Sequence, residues 1–199
     1  MSVKQRALPL APEARRKSII DAVIPLLLEN GPNVTTAQIA EAAGIAEGTI
    51  FRVFPDKTSL LFEAVKASFD PAPELDQLAR IERDLPLEVK LRKTAAILIK
   101  RSERVHALVS VLRSLPPPEH SAFHDAHKNA IGANSLLLWG VTRVFQDHSS
   151  QLAVEPARAA AAFRGLLFAV SFPLNDPAEL MTADEAIEVL LSGVMKDRP

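Results

Sequence analysis

The chain has 199 residues, 48% of them hydrophobic, enough for one large or two small packed domains and too many for a disordered chain. It contains no cysteine, which excludes disulfides and thiolate metal sites and suits a reducing cytoplasm. Net charge is −1, so the protein is not generally basic, and any anionic partner must be met by local charge.

Local charge begins at the N-terminus. Met1 to Ile20 holds five basic residues (Lys4, Arg6, Arg15, Arg16, Lys17) against one acid, Glu13, a balance of +4 that suits contact with phosphates. The segment is basic but has no apolar signal-peptide core. The longest nearly apolar run, Ala159 to Phe172, is interrupted by Arg164 and is shorter than the ~20 residues of a membrane span. A soluble cytoplasmic protein without membrane association is expected.

Tyrosine is absent, aromatics are 5%, and apolar residues recur mostly at helical spacing, so the expected fold is all-α with about nine helices. The first helix covers about Pro12 to Glu29, with Ile20, Val23, Ile24 and Leu27 as its apolar stripe and Asn30-Gly31 as its stop. Pro25 removes one backbone donor inside it and predicts a kink. Thr35 and Gln38 have capping-box spacing for a second helix, ended by Gly44. A third helix runs from about Glu47 to Phe54. Ile39, Ala40 and Ala43 face inward on the second helix, and Ile45, Ile50 and Phe54 complete that small core. Asp56 caps a fourth helix, which continues to about Phe69.

Pro71 and Pro73 mark a boundary, giving domains 13–70 and 71–199. Beyond it, helices are predicted over Glu74 to Arg83, Leu87 to Leu115 with a break near Arg101 to Val105, and Glu119 to His148. Pro156 opens a helix rich in small residues that ends near Pro173, and the last helix runs from Ala183 to Met195. Pro116-Pro117-Pro118 separates the two long helices.

Two short helices joined by a glycine turn form a helix-turn-helix, whose second helix can enter the DNA major groove. The run TTAQIAEAAGIAEGTIFRVFPDKTSLL carries Thr36, Ile39, Ala40, Ala43, Gly44, Ile45, Gly48, Thr49, Ile50, Phe54, Lys57, Leu60 and Leu61. On these residues Arg15 to Phe69 resembles the TetR family of bacterial transcriptional regulators. The resemblance implies an N-terminal helix-turn-helix three-helix domain followed by a larger helical bundle that binds ligand and dimerises through the last two helices. It also implies a homodimeric repressor on a palindromic double-stranded DNA operator. A small-molecule effector releases it, and no cofactor is required.

Residue by residue, the resemblance implies phosphate contact by Thr36 and Lys57 and close backbone approach at Gly48. It places Thr49 and Arg52 toward bases or nearby phosphates. Arg52 is the long donor here able to grip a guanine edge in bidentate fashion. The sequence departs from the family at Phe51, where tyrosine is common, and at Ala46-Glu47, where serine-lysine is frequent. Glu47 suits a helix N-terminus, and is also able to accept from a cytosine amino group or to hold Arg52.

Other features point to a second site. Trp139, Arg143, Phe145, Phe163 and Phe168 are candidates for an apolar effector pocket, with His106 or Asn134 orienting the ligand; ordinary core packing explains the same residues. Arg164 lies in an otherwise apolar helix, where it faces an acid across a dimer interface, a ligand or solvent. His120, His124 and His127 fall on one helical face and have donor chemistry for zinc, copper or nickel. This row supports the alternatives of a metal-responsive regulator or a helical metal-dependent enzyme. A helix-turn-helix adaptor that binds protein is a third class. Neither a phosphate-binding glycine loop nor a nucleophile elbow is present, and the chain is read as a non-enzyme.

Overall fold

The computed structural model describes residues 11–115, 120–171 and 181–196, with residues 112 and 120–131 described by their backbone alone. Among the described residues the regular structure is nine α-helices, two 3-10 turns and an isolated antiparallel bridge between Leu152 and Met195. The helices are α1 (Pro12–Asn30), α2 (Thr36–Ala43), α3 (Glu47–Val53), α4 (Lys57–Ala67), α5 (Ala72–Ala79), α6 (Leu87–Arg113), α7 (His120–Gln146), α8 (Pro156–Ser171) and α9 (Ala183–Val194). The chain divides into two compact units. One takes the described residues up to Ser68 and those between 107 and 123; the other takes Phe69–His106 and the described residues from His124 onward.

In the first unit α1 packs on α2, α3 and α4, and α2 packs on α3. The α1 stripe buries Ile19, Ile20, Val23 and Leu27 against Val34, Ile39, Ile50, Phe54, Leu60 and Leu61, all of them buried. Ile45 and Ala43 are only half-buried, so Ile50 and Phe54 form the centre of this core. Pro25 is accommodated within α1, which continues to Asn30. The capping box at α2 is made as its spacing predicts: the Gln38 amide donates to the Thr35 hydroxyl at 3.2 Å, and the Thr35 amide to the Gln38 side chain at 2.8 Å. Gly44 ends α2 with φ of 64°, a left-handed conformation that glycine adopts without a Cβ penalty. Asp56 caps α4 by accepting from the Ser59 amide at 2.7 Å. That helix stops at Ala67, two residues before the expected end, where the Ser68 hydroxyl takes the Val65 carbonyl at 2.6 Å.

The second unit is built around Leu91, Leu137, Val141, Phe145, Phe163 and Ile187, with α8 packed on α9. Phe145 and Phe163 meet edge to face with ring centroids 6.1 Å apart. Ala159 and Ala160 are fully buried, and their small side chains let α8 approach its neighbours closely. The bridge at Leu152 is reinforced by the Ala153 amide donating to the Val194 carbonyl at 2.7 Å, which ties the turn before α8 to the end of α9.

Two expected boundaries fail here. The helix predicted over Glu74 to Arg83 is α5, Ala72–Ala79, ended by Arg80. The break predicted near Arg101 to Val105 is absent, and α6 runs unbroken through it. The two arginines of this stretch are paired within the fold. Arg101 is buried and donates to Glu74 at 2.7 Å, to the Phe69 carbonyl at 2.7 Å and to the Asp70 carbonyl at 3.1 Å. Arg104 takes the other Glu74 oxygen at 2.8 Å. A polar cluster satisfied in this way does not require the helix to open.

Candidate nucleic-acid interface and effector cleft

The recognition candidate, α3, begins at Glu47 with Ala46 as an N-cap that has no side-chain bond. Its front end is held by another contact: the Thr36 hydroxyl donates to the Glu47 carboxylate across the turn. Two residues expected at the DNA thus bond to each other, joining the first turn of α2 to that of α3. Glu47 also lies in the first turn of α3, where the helix dipole favours negative charge.

Along α3, Ile50 is fully buried and fixes which face turns inward. Gly48, Phe51 and Arg52 are exposed and Thr49 is half-buried. Phe51 is half exposed, an apolar ring on the outer face of a seven-residue helix. Among the described residues Arg52 has neither an acid nor a carbonyl partner, so Glu47 is not holding it. Lys57 is half-buried and donates to the Pro32 carbonyl at 3.0 Å, which places its ammonium at the turn before α2. An ammonium has further N–H donors, so this bond leaves capacity for a phosphate oxygen.

The rear of α3 depends on a residue of the basic N-terminal stretch that its charge suited to phosphate contact. Arg16 on α1 donates to the Val53 carbonyl at 3.2 Å, lies 3.6 Å from Glu63 and stacks over Phe54 with 4.4 Å to the ring centroid. It therefore satisfies an end carbonyl of α3 and fixes the helix to α1 and α4. The signal was in the spacing, since Arg16 stands four residues before Ile20 on the buried edge of the α1 stripe. Lys17 is taken up by Asp21 at 2.6 Å. Lys4 and Arg6 lie outside the described residues.

In the second unit the seven effector candidates do not converge on one cleft. Asn134 and Phe168 line a cleft of ≈ 270 Å³ together with Arg101, Arg164, Leu98, Val105, Leu137 and Leu167. Trp139 and Arg143 line another of ≈ 480 Å³, with Leu75, Lys90, Val144 and Asp147 around it. There the Arg143 guanidinium lies 5.2 Å from the Trp139 ring centroid, and Lys90 bonds Asp147 at 3.0 Å. Lys90 draws the Asp147 carboxyl below its ordinary value through that hydrogen bond. Phe163 is fully buried in the core against Phe145, and His106 is exposed on α6 and lines neither cleft.

The smaller cleft holds the residue that interrupted an apolar helix. Arg164 donates to the Asn134 carbonyl at 2.7 Å and to the Asn134 amide oxygen at 3.1 Å. Both partners are neutral. Burial pushes the Arg164 guanidinium below its ordinary value, and the nearby Arg101 cation pushes it the same way.

Among the described residues no group of three or more His, Cys, Asp or Glu is placed to hold a metal ion. The backbone of His120, His124 and His127 is helical within α7, and their side chains lie outside the described residues. No helix among the described residues is long and apolar enough to cross a membrane.

Comparison with known proteins places these observations. Residues 19–64 match the model of the bacterial regulatory proteins of the tetR family, a span that covers α2 and α3 with most of α1 and α4. The HTH-type transcriptional repressor KstR of Rhodococcus jostii is 39% identical over 61 residues, 30% of this chain and 29% of that protein. The nucleoid occlusion factor SlmA of Marinobacter nauticus is 29% identical over 100 residues, 50% of this chain and 51% of that protein. The chain thus spans about half or less of the length of these two curated relatives. A TetR-family regulator structure from Mesorhizobium loti superposes with a TM-score of 0.64 at 18% identity, covering 94% of this chain and all of that one. At that identity the likeness establishes a common fold.

Proposed function

We propose that the chain, whose residues 19–64 match the model of the bacterial regulatory proteins of the tetR family, is a cytoplasmic homodimeric transcriptional repressor, released from a palindromic operator by a small-molecule effector. One observation carries this reading: the family match over residues 19–64 falls on α2 and α3, where a capped helix, a left-handed glycine and an outward-facing Arg52 form a helix-turn-helix. In this reading Arg52 reads a guanine edge, and Thr36, Thr49 and Lys57 set the register on phosphates. Gly48 and Phe51 pack against the sugar-phosphate backbone. Glu47 screens the front of α3 from phosphates and shares the Thr36 hydroxyl with them. The protein acts by binding and not by catalysis.

Domains 13–70 and 71–199 divide the work between DNA and effector. Support for coupling comes from Arg101, which lines the smaller cleft and also holds the carbonyls of Phe69 and Asp70, the residues that directly follow α4 and Ser68. Effector binding beside Arg101 alters the hold on that segment and changes the spacing of the two recognition helices, so that both half-sites are no longer engaged together. Dimerisation through α8 and α9 is supported by the exposed Phe168 and Val189 on those helices.

The test is fluorescence anisotropy of the purified protein on DNA from its own upstream region against scrambled DNA, across a salt series. Preferential binding that weakens steeply with salt and is lost in Arg52→Ala or Lys57→Ala is expected. Equal weak binding to both DNAs refutes an autoregulatory operator.

A further inference from the structure

The smaller cleft has an electrostatic imbalance. Two guanidinium groups line it, and their surroundings differ. Arg101 is paired with the buried Glu74, a carboxylate that Arg104 shares. Arg164, half-buried, is held only by the backbone carbonyl and the amide oxygen of Asn134. Guanidinium keeps its proton in any protein setting, so a cation stands in a cleft with no carboxylate partner among the described residues. Taking such a charge partly out of water is costly unless an anion meets it. Burial and the neighbouring Arg101 both act against the charged form of Arg164, so the site is short of negative charge. The walls around it are apolar: Leu98, Leu137 and Leu167 line the same cleft. Arg164 retains N–H donors beyond the two it uses, and the amide nitrogen of Asn134, with no bond among the described residues, adds another.

We propose that this cleft binds a small organic monoanion, a carboxylate with an apolar body, whose head is gripped by Arg164 and the Asn134 amide while its body lies along the leucine wall. The inference names the effector class for the proposed regulator and rests on that reading for its purpose, although binding itself is measured without DNA. The volume, ≈ 270 Å³, falls just below the ~300–1,000 Å³ of usual small-molecule sites, which favours a compact acid over a large drug-like molecule. Arg164 and the carboxylate match as a planar, bidentate pair.

The experiment is calorimetric titration of the full chain with four probes held below their micellar concentrations: sodium octanoate, 1-octanol, octylammonium and inorganic phosphate. Octanoate is expected to bind saturably and at least about tenfold more tightly than octanol, as befits a charge-assisted hydrogen bond in a half-buried site. Octylammonium and tailless phosphate are expected to bind more weakly than either. Arg164→Gln, which keeps a polar head without the charge, is expected to bring octanoate down to the octanol level. Asn134→Ala weakens octanoate less, and guards against a folding defect in the first variant. Equal affinity for octanoate and octanol, silence toward octanoate, or an octanoate preference that survives Arg164→Gln overturns the proposal. So does loss of self-association in Arg164→Gln with octanoate silent on the wild type, which assigns Arg164 to an acid of a second copy. Operator anisotropy on the same samples separates the two readings. Octanoate silence with operator binding intact refutes this inference alone, and an absent operator complex refutes the regulator reading while leaving the calorimetric result to stand.

Discussion

Replacing Arg16 by methionine tests whether a basic residue beside a DNA-binding motif is structural or makes a phosphate contact. Methionine keeps most of the aliphatic stem and removes the guanidinium. The lost bond to the Val53 carbonyl, at 3.2 Å and part-buried, is worth about 1 kcal/mol. The cation over Phe54, 4.4 Å from the centroid, adds about 0.5–1 kcal/mol at a partly exposed site. Glu63, at 3.6 Å with both side chains over a third exposed, adds about 0–1 kcal/mol because solvent screens it. Arg16→Met should therefore destabilise by about 1.5–3 kcal/mol, read as a lower urea midpoint at unchanged slope. Arg16→Lys, which keeps charge without the fork, should fall between wild type and methionine. The companion assay is the salt dependence of operator binding. A residue that holds α3 from behind leaves the slope of log affinity against log salt unchanged, whereas each lost phosphate contact lowers it by about 0.9. An unchanged urea midpoint with a slope reduced by about 0.9 would refute the structural assignment of Arg16.

Three further perturbations follow from the same geometry. Arg101→Met leaves the buried Glu74 with Arg104 alone and should cost about 3–5 kcal/mol in urea unfolding, while Glu74→Leu added to it should recover much of the loss; equal stability of the single and double variants counts against the buried pair. Gly44→Ala should cost about 1–2 kcal/mol through its φ of 64° alone, since a Cβ there meets nothing within 4 Å, and Gly44→Asn should cost less. Asp56→Ala should cost about 1 kcal/mol at neutral pH by removing the α4 cap. The Ser59 amide holds the Asp56 carboxyl below its ordinary value, so its contribution is present above the unfolded value of about 3.9 and is lost as pH falls through the lower folded value. The gap between wild type and Asp56→Ala in acid titrations should accordingly be flat from neutrality to about pH 5 and close at the acid end.

Where one local rule sufficed, the sequence was enough. Thr35 with Gln38, Gly44 and Asp56 act through their own backbone and that of neighbours three or four residues away, so α2, its stop and the start of α4 fall where the spacing puts them. The break expected in α6 shows the opposite situation. A charged run at Arg101 to Arg104 looks like a solvated interruption until Glu74, 27 residues earlier in the chain, is found between the two arginines. The effector candidates divided for the same reason. Helical spacing gives the face of a residue within its own helix, but it does not say which neighbouring helix that face meets. Asn134 and Trp139 share α7 yet line different clefts, and Phe163, one residue before Arg164, turns into the core.

The arginines make the general point more sharply, because one side chain serves four purposes here. Arg52 has no partner among the described residues and is exposed, so its donors are available to an outside acceptor at no cost to the fold. Arg16 and Arg101 are both engaged by carbonyls and an acid, but burial separates them. Arg101 is 8% exposed and needs Glu74 to be tolerable at all, whereas the half-buried Arg16 gains only modestly from Glu63. Arg164 combines the burial of a structural residue with the unpaired charge of a binding one. A purely structural arginine at that depth would be expected to have a carboxylate, and a purely solvated one would not lie against a wall of leucines. The combination favours an anion from outside the described residues, and a molecule small enough for the cleft can both supply that charge and leave with it. Reversible neutralisation of Arg164, next to the arginine that grips Phe69 and Asp70, is a physical basis for an effector signal that requires no metal, no covalent chemistry and no rearranged core.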